Sequence, residues 1–189
     1  MKNLIFATHN EHKIKEIQKY LEGNYQIIGL TELGVYEEIP ETTGTFQGNA
    51  LQKAQYFWER FHQSCFAEDS GLEVEALEGE PGVDSAHYSG SRDSKENIKL
   101  LLERLKNKTN MTAQFRSVIA LILEGKTYFF EGIVKGRIHQ EARGSYGFGY
   151  DPIFIPEGYS HTFAEMSLEE KNKINHRTKS VQQLIDFLK

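Results

Sequence analysis

The first thirty residues decide the fold, and they have the sequence MKNLIFATHN EHKIKEIQKY LEGNYQIIGL (residues 1–30). Residues 3–7 form a short apolar run that is typical of a buried strand. A helix with one apolar face follows, at Ile14, Ile17 and Leu21. Asn10 can cap the start of that helix, and residues 25–30 form a second apolar run. The chain is therefore predicted to begin β-α-β, which favours a parallel or mixed sheet with helices on its faces.

The rest of the chain continues the alternation of strands and helices. We expect helices over residues 48–61 and after Asn175, and one that begins at a capping box of Asp93 and Glu96. On the helix over 48–61, Asn49 and Lys53 (i, i+4) share a face that differs from the apolar face. We expect a strand at residues 65–67 that ends in a turn at 68–71, and a hairpin of 117–124 with 128–135. The count of about four helices and six strands predicts an α/β protein.

Length and composition exclude several classes of protein. At 189 residues a single domain spanning 1–189 is expected, and 39% apolar residues can supply its core. The longest apolar run, 118–123, is too short to cross a bilayer, and the amino terminus lacks a signal-peptide core. The net charge of −5 argues against nucleic-acid binding. The single cysteine, Cys65, fits a buried strand position and a reducing cytoplasmic location. We therefore expect no membrane and no nucleic-acid partner.

The segment between the first strand and the first helix is a candidate phosphate site. It consists of Thr8, His9, Asn10, Glu11, His12 and Lys13. A helix amino terminus offers N–H groups and a partial positive charge to a phosphate, and Lys13 adds a full charge. A capped helix with an exposed lysine explains the same residues without a ligand. Neither a Walker A loop nor a dinucleotide fingerprint occurs here.

Carboxylates at a predicted strand end form the second candidate. Glu68 and Asp69 are followed by Ser70, and adjacent residues of a strand face opposite sides, so one of the two acids can enter a given site. Oxygen ligands of this kind suit Mg²⁺, which takes one or two carboxylates plus substrate phosphates. Glu41 is a possible second acid. A solvated acidic turn is the alternative.

Two further candidates lie in the last third of the chain. Residues 144–152 (GSYGFGYDP) interleave three glycines with three aromatics, which allows close backbone approach and offers flat faces to a base. The alternative is a tight turn with packed aromatics. Lys171, His176 and Arg177 cluster near the start of the last helix, where donors suit keto oxygens of a base edge. An exposed pair stabilised by a nearby glutamate is the alternative.

The order of these motifs along the chain is more specific than any one of them. They are ATHNEHK at 7–13, FQGNALQKA at 46–54, EDSGLEV at 68–74, GEPGV at 79–83, GFGYDPIF at 147–154, AEM at 164–166, EK at 170–171 and HR at 176–177. With these motifs the chain resembles the inosine/xanthosine triphosphate pyrophosphatase family over nearly its whole length. Members of that family hydrolyse deaminated purine nucleoside triphosphates to the monophosphate and pyrophosphate.

The resemblance implies a fold, a metal and a role for each candidate residue. The implied fold is an elongated mixed sheet flanked by helices, with two lobes around a central nucleotide cleft, and the implied assembly is a homodimer. Residues 8–13 hold the triphosphate, with Lys13 and Lys53 neutralising charge. Asp69 is the catalytic carboxylate and, with Glu41, a Mg²⁺ ligand. The remaining implied substrate contacts are Ser70, Phe148, Gly149, Tyr150, Asp151, Lys171, His176 and Arg177.

The chain departs from the family pattern at a few positions. Glu68 stands where many members have Asp, which keeps the charge but changes its reach. Gly48 replaces a frequent acidic residue, and the spacing around residues 42–44 differs slightly, which leaves the alignment of Glu41 open by about a residue. Asn175 replaces the usual Ser, and both residues cap helices.

The resemblance therefore predicts Mg²⁺-dependent hydrolysis of ITP, dITP and XTP, with cleavage between the α and β phosphates. Two other functions are compatible with the same residues. One is a nucleotide-binding module that releases no pyrophosphate. The other is a broader nucleotide phosphatase that releases orthophosphate or accepts other bases.

Overall fold

The computed structural model describes residues 2–21 and 25–189, and it confirms the α/β class. The strands are β1 (Lys2–Phe6), β2 (Tyr25–Gly29), β3 (Cys65–Val74), β4 (Thr112–Leu123), β5 (Lys126–Ile138) and β6 (Phe154–Pro156). The α-helices are α1 (Glu11–Tyr20), α2 (Phe46–Phe61), α3 (Ser94–Leu105), α4 (Leu168–Asn172) and α5 (His176–Leu188). No helix in these described ranges is long and apolar enough to span a bilayer.

The strands form one mixed sheet in the order β2-β1-β3-β4-β5-β6. β1 runs parallel to β2 and to β3, as the β-α-β start predicts, whereas β5 and β6 pair antiparallel. β4 and β5 are neighbours joined by Glu124 and Gly125 alone, both in the left-handed region with φ of 50° and 81°. A two-residue connection of this kind joins antiparallel strands, so the predicted hairpin is confirmed.

The chain packs as two compact units built from interleaved segments. The first unit comprises the chain up to Asp69, Ser117–Gly132 and Arg177–Lys189, and the second comprises Ser70–Arg116 and Ile133–His176. In the first unit Phe6 of β1 stacks on Phe66 of β3 with ring centroids 4.5 Å apart. The core of the second unit contains Leu72, Leu101, Phe115, Phe154 and Phe163. Each unit thus has its own apolar core, and the prediction of a single domain stays a prediction.

The prediction that β3 ends before a turn at 68–71 is wrong. The strand continues to Val74, so Glu68 and Asp69 lie inside it and are buried. Buried carboxylates on a strand are stable only where cations or donors compensate their charge. Such partners come from distant parts of the chain, which is why the local sequence has the composition of a solvated turn.

Local signals explain where the helices begin. Asn10 caps α1 as predicted, and Thr45 Oγ1 accepts from the Gly48 amide, so α2 begins at Phe46 rather than at residue 48. Asp93 caps α3, but its own amide donates to Ser91 Oγ, so the predicted reciprocal contact from the Glu96 side chain is absent. The five-residue helix α4 is too short to show a periodic pattern, and the sequence did not predict it.

Candidate active site

The segment from Thr8 to Lys13 is held by its own cap. Asn10 Oδ1 accepts hydrogen bonds from the amides of His12 and Lys13 at 3.0 and 3.2 Å, and Thr8 Oγ1 accepts from the Asn10 amide. Two of the N–H groups at the helix start are therefore used by the cap. The side chains of His9, Asn10, Glu11 and His12 are exposed, whereas Thr8 is buried. The predicted cap is therefore present, but the exposed lysine of the capped-helix alternative is not, and phosphate binding at this segment stays a prediction.

Lys13 does not extend into solvent. Its Nζ lies 2.8 Å from Glu68 Oε2, and the two side chains are 12% and 0% exposed. Burial lowers the pKa of Lys13, and the Glu68 carboxylate opposes that shift. Glu68 thus fixes a cation at the start of α1, which gives this acid a defined role inside the first unit.

Arg177 joins the same group of charges. Its Nε lies 3.2 Å from Glu68 Oε1, and its Nη1 forms an ion pair with Glu16 Oε2 of α1. Ser117 Oγ also donates to Glu68 Oε1, at 2.9 Å. All of these groups are buried. The Arg177 guanidinium, predicted to bind a base edge, is therefore engaged by two carboxylates of the first unit, and its contact with a base stays a prediction.

Asp69 lies on the opposite face of β3 from Glu68 and has different partners. Asn49 Nδ2 donates to Asp69 Oδ2 at 3.0 Å, and Lys53 Nζ lies 3.9 Å from Asp69 Oδ1. Lys53 Nζ also forms an ion pair with Glu41. Asn49 and Lys53 are one helical turn apart on α2, so the predicted shared face of these residues is the face turned to Asp69.

Burial raises the pKa of Asp69, and the charge of Glu41 acts in the same direction, while Lys53 and Lys13 oppose both. A carboxyl group with a raised pKa is a better proton acceptor than an ordinary aspartate near neutral pH. Asp69 therefore combines a fixed orientation with a raised pKa.

The oxygen donors around Asp69 fit a Mg²⁺ ion. Among the described residues no three His, Cys, Asp or Glu side chains gather into a complete metal cage. Mg²⁺ is commonly bound by one or two carboxylates together with substrate phosphates, and it does not need such a cage. Asp69 and Glu41 meet at one ammonium group, so their carboxylates are close enough to share a cation.

The second unit contains the glycine–aromatic loop. Gly147 has φ of 75°, and its hydrogen faces Asp151 Oδ2, where a Cβ atom would overlap that oxygen. The Phe148 amide donates to Asp151 Oδ2 at 3.0 Å, and Lys171 Nζ lies 2.7 Å from the same oxygen. The Lys171 ammonium also faces the Phe148 ring at 5.1 Å from its centroid. Asp151 and Lys171 thus form a buried ion pair that holds the loop.

The remaining predicted contacts of the second unit differ in exposure. Tyr150 is buried and donates its hydroxyl to the Ser85 carbonyl at 2.8 Å, and burial raises its pKa. His176 is buried and stacks on Phe115 with centroids 4.8 Å apart. Phe148, Gly149 and Ser70 are partly exposed. Phe148 is therefore the aromatic side chain of this set that remains partly exposed.

The structure brings the predicted site residues together as two sets. The set of the first unit is Lys13, Glu41, Lys53, Asp69 and Arg177, and that of the second unit is Phe148, Asp151 and Lys171. The sequence missed the roles of Glu16, Asn49 and Ser117. Asn49 was detectable from its spacing to Lys53, whereas Glu16 has no local signal that separates it from an exposed helix charge.

Comparison with known proteins gives consistent matches over the full length. The model of the Ham1 family matches residues 4–187. A Flavobacterium johnsoniae protein named dITP/XTP pyrophosphatase is 51% identical and covers 98% of this chain and 97% of its own. A Bacillus subtilis protein of the same name is 44% identical and covers 100% of this chain and 98% of its own.

Two solved structures also match over nearly the whole chain. The Staphylococcus aureus Ham1 protein superposes with a TM-score of 0.89 at 38% identity, covering 99% of this chain and 98% of its own. A Mycobacterium abscessus protein described as a nucleoside-triphosphatase and dITP/XTP pyrophosphatase has a TM-score of 0.78 at 39% identity, with 96% of this chain and 98% of its own covered.

Proposed function

Because this chain belongs to the Ham1 family, we propose that it hydrolyses the deaminated purine nucleotides ITP, dITP and XTP to the monophosphate and pyrophosphate. It is an enzyme of the nucleoside triphosphate pyrophosphatase class, as its relatives are named. The observation that carries the proposal is the arrangement around Asp69, a buried carboxylate oriented by Asn49 and faced by Lys53. Removing deaminated purines from the nucleotide pool is the consequence of this activity.

Asp69 is proposed as the general base. The Asn49 amide holds Asp69 Oδ2, so the carboxylate keeps one orientation in which it accepts a proton from water. Its raised pKa favours that transfer. A residue held in one orientation by a neighbour loses little conformational entropy when the substrate arrives.

The triphosphate is proposed to bind to the first unit. Lys13 and Lys53 supply positive charge, and the capped segment with Thr8, His9, Asn10, Glu11 and His12 supplies backbone and side-chain donors. Asp69 and Glu41 would hold Mg²⁺. When bound, that ion offsets charge on the phosphate oxygens and on the departing pyrophosphate.

The base and sugar are proposed to contact the residues that the resemblance to the family implies. Phe148, Gly149, Tyr150 and Asp151 line the base and sugar, and Ser70 touches substrate. Lys171, His176 and Arg177 donate to the base edge. Adenine has an amino group where hypoxanthine has a keto oxygen, so a donor facing adenine is left unpaired at a cost of about 1–3 kcal/mol. This difference would favour ITP over ATP.

A product assay tests the proposal. Purified protein is incubated with Mg²⁺ and, separately, ITP, dITP, XTP, ATP or GTP, and nucleotide and phosphate products are separated by ion exchange. We expect IMP and pyrophosphate in equal amounts from ITP, and slow turnover of ATP. Orthophosphate as the first product would indicate a general phosphatase, and binding of ITP without any product would indicate a binding module. Equal rates on all purines would contradict the proposed selectivity.

The assembly and the location follow the resemblance to the family. We propose a homodimer that acts in the cytoplasm on a nucleotide substrate, without a nucleic-acid or membrane partner. Sedimentation equilibrium on the 21.7 kDa chain tests the assembly, with a mass of two chains expected. A mass of one chain across the concentration range would contradict it.

A further inference from the structure

We infer that Lys53 is a resident cation of the metal site: its ammonium neutralises Glu41 and Asp69 when metal is absent, and Mg²⁺ displaces it. The inference rests on the proposed function, because it assigns Mg²⁺ to these two carboxylates. It adds a step in which the arrival of the metal releases Lys53 for the triphosphate.

The contacts of Lys53 place a single positive charge between two acids. Its Nζ pairs with Glu41 Oε1 and lies 3.9 Å from Asp69 Oδ1. The side chains of Lys53, Glu41 and Asp69 are 10%, 38% and 8% exposed. Two carboxylates that share a partly buried site repel each other, and a cation between them removes much of that penalty. Lys53 therefore stabilises the acid pair in the metal-free protein.

The two oxygens of Asp69 have different partners. Oδ2 accepts a hydrogen bond from Asn49 Nδ2, whereas Oδ1 faces Lys53. Exchange of the ammonium for a metal ion at Oδ1 leaves the Asn49 contact unchanged. Asp69 thus keeps its orientation while the cation beside it changes.

The chemistry of the two cations favours displacement. Mg²⁺ carries twice the charge of an ammonium group and binds carboxylate oxygens directly at about 2.0–2.1 Å. A lysine side chain is a mobile point charge on a flexible stem and can move away without disturbing the backbone of α2. Because both cations use the same oxygens, binding of one weakens binding of the other.

Displacement couples the metal to the substrate. While Lys53 is paired with Glu41 and Asp69, its charge is partly neutralised and attracts a phosphate weakly. Once Mg²⁺ takes the carboxylates, the ammonium becomes available for the triphosphate. Thermodynamic reciprocity then requires that a bound triphosphate, by drawing Lys53 away, raises the affinity for Mg²⁺.

Calorimetric titration with Mg²⁺ alone, at about pH 8 and without nucleotide, tests the inference. We compare the wild type with Lys53→Met and with Lys15→Met, which removes an α1 lysine that is 72% exposed. Lys53→Met is expected to bind Mg²⁺ at least about fivefold more tightly than the wild type, the lower range of typical coupling effects. Lys15→Met is expected to match the wild type. Unchanged or weaker binding in Lys53→Met, or no binding in any variant, overturns the inference.

A second measurement uses the wild-type protein and does not depend on the folding of a variant. A water-soluble acetylating ester is added with and without Mg²⁺, and modified lysines are identified by mass spectrometry. Lys53 is expected to react faster when Mg²⁺ is present, while Lys15 reacts at the same rate in both samples. A Lys53 rate that does not change with Mg²⁺, or that falls, contradicts displacement.

These measurements are independent of the proposed hydrolysis because neither contains a nucleotide. If ITP gives IMP and pyrophosphate but Lys53→Met binds Mg²⁺ like the wild type, the inference fails and the function stands. If Lys53→Met binds Mg²⁺ more tightly but ITP is not cleaved, the proposed function fails and the cation exchange stands.

Discussion

The charged groups of the two units are organised in different ways. In the first unit, the cations Lys13, Lys53 and Arg177 share four carboxylates that come from three segments of the chain, and Glu41 remains 38% exposed. In the second unit, Asp151 and Lys171 are paired with each other, only 4% and 3% exposed, and the Lys171 ammonium also faces the rings of Phe148 and Phe163.

This difference indicates which of the two sets of charged groups can exchange partners. A cation shared among several acids can leave one of them without stranding a charge, because others compensate. In a buried pair such as Asp151 and Lys171, removing either member leaves the other charge buried without its counter-ion. We therefore propose that the first unit performs the phosphate chemistry, while the pair of the second unit holds a rigid surface for the base.

The largest expected effect is on the turnover of ITP and comes from a residue of the first unit. Asp69→Asn removes the proposed base and a metal ligand but keeps an amide-sized side chain beside Asn49. We expect kcat on ITP to fall by about 10²–10⁴-fold, the usual contribution of a general base. Glu59→Gln, an exposed position on the same helix as Lys53, is the matched control and is expected to keep wild-type kcat. Wild-type kcat in Asp69→Asn would exclude Asp69 from the mechanism.

The next effect is on stability and belongs to the second unit. Lys171→Met leaves Asp151 buried without its cation, and we expect the free energy of unfolding to fall by about 3–5 kcal/mol in urea denaturation. Adding Asp151→Asn to Lys171→Met is expected to recover part of that loss, as a double-mutant cycle measures.

The control for Lys171 is Lys173→Met, because Lys173 is 68% exposed and pairs with Glu169 at the surface. We expect this variant to lose less than about 1 kcal/mol. If both lysine variants lost the same amount, the buried pair would not be the rigid element that distinguishes the second unit.

A smaller effect concerns the glycines of the loop. Gly147 and Gly149 have φ of 75° and 60°, but a Cβ at Gly147 would overlap Asp151 Oδ2, whereas nothing lies within 4 Å of one at Gly149. Gly149→Ala is expected to lower the free energy of unfolding by about 1–2 kcal/mol, the cost of a left-handed alanine. Gly147→Ala is expected to lose more, since it also disturbs the Asp151–Lys171 pair. Equal losses in urea denaturation would show that the pair tolerates displacement.

The smallest expected effect is a shift in pH dependence. Asp69 must be ionised to act as a base. The value of kcat/KM is therefore highest above the pKa of Asp69 and falls as the pH drops through that pKa. Burial raises that pKa, whereas the positive charge of Lys53 lowers it. The acid limb of the profile is therefore expected at higher pH than for an ordinary aspartate. In the metal-free protein, where Lys53 faces Asp69, carbon-13 NMR of the Asp69 carboxyl group is expected to show a higher pKa in Lys53→Met than in the wild type. An unshifted or lower pKa in Lys53→Met would contradict the contact between these groups.

Much of the fold was predictable because its signals are local. The β-α-β start, the Asn10 cap and the hairpin at Gly125 follow from residues near one another in sequence, and the structure confirms them. The extension of β3 through Asp69 was not predictable, because the partners that make buried acids tolerable are distant in sequence.

In the candidate site, too, contacts with a local sequence signal were predictable and contacts between distant segments were not. The spacing of Asn49 and Lys53 predicted a shared helix face, and that face contacts Asp69. In contrast, Arg177 pairs with Glu16 across 161 residues of chain and with Glu68 across 109. Neither pairing has a local signature, so the sequence suggested a base contact for Arg177 and left Glu16 unnoticed.

The most direct test of the proposed division of labour is the ratio of kcat/KM for ITP to that for ATP in one variant of each unit. Lys13→Met removes charge from the first unit and is expected to lower both values by the same factor, leaving the ratio unchanged. His176→Phe keeps the stacking on Phe115 but removes the donors, and is expected to lower the ratio by about 5- to 150-fold, equivalent to about 1–3 kcal/mol. A changed ratio in Lys13→Met, or an unchanged one in His176→Phe, would contradict the account.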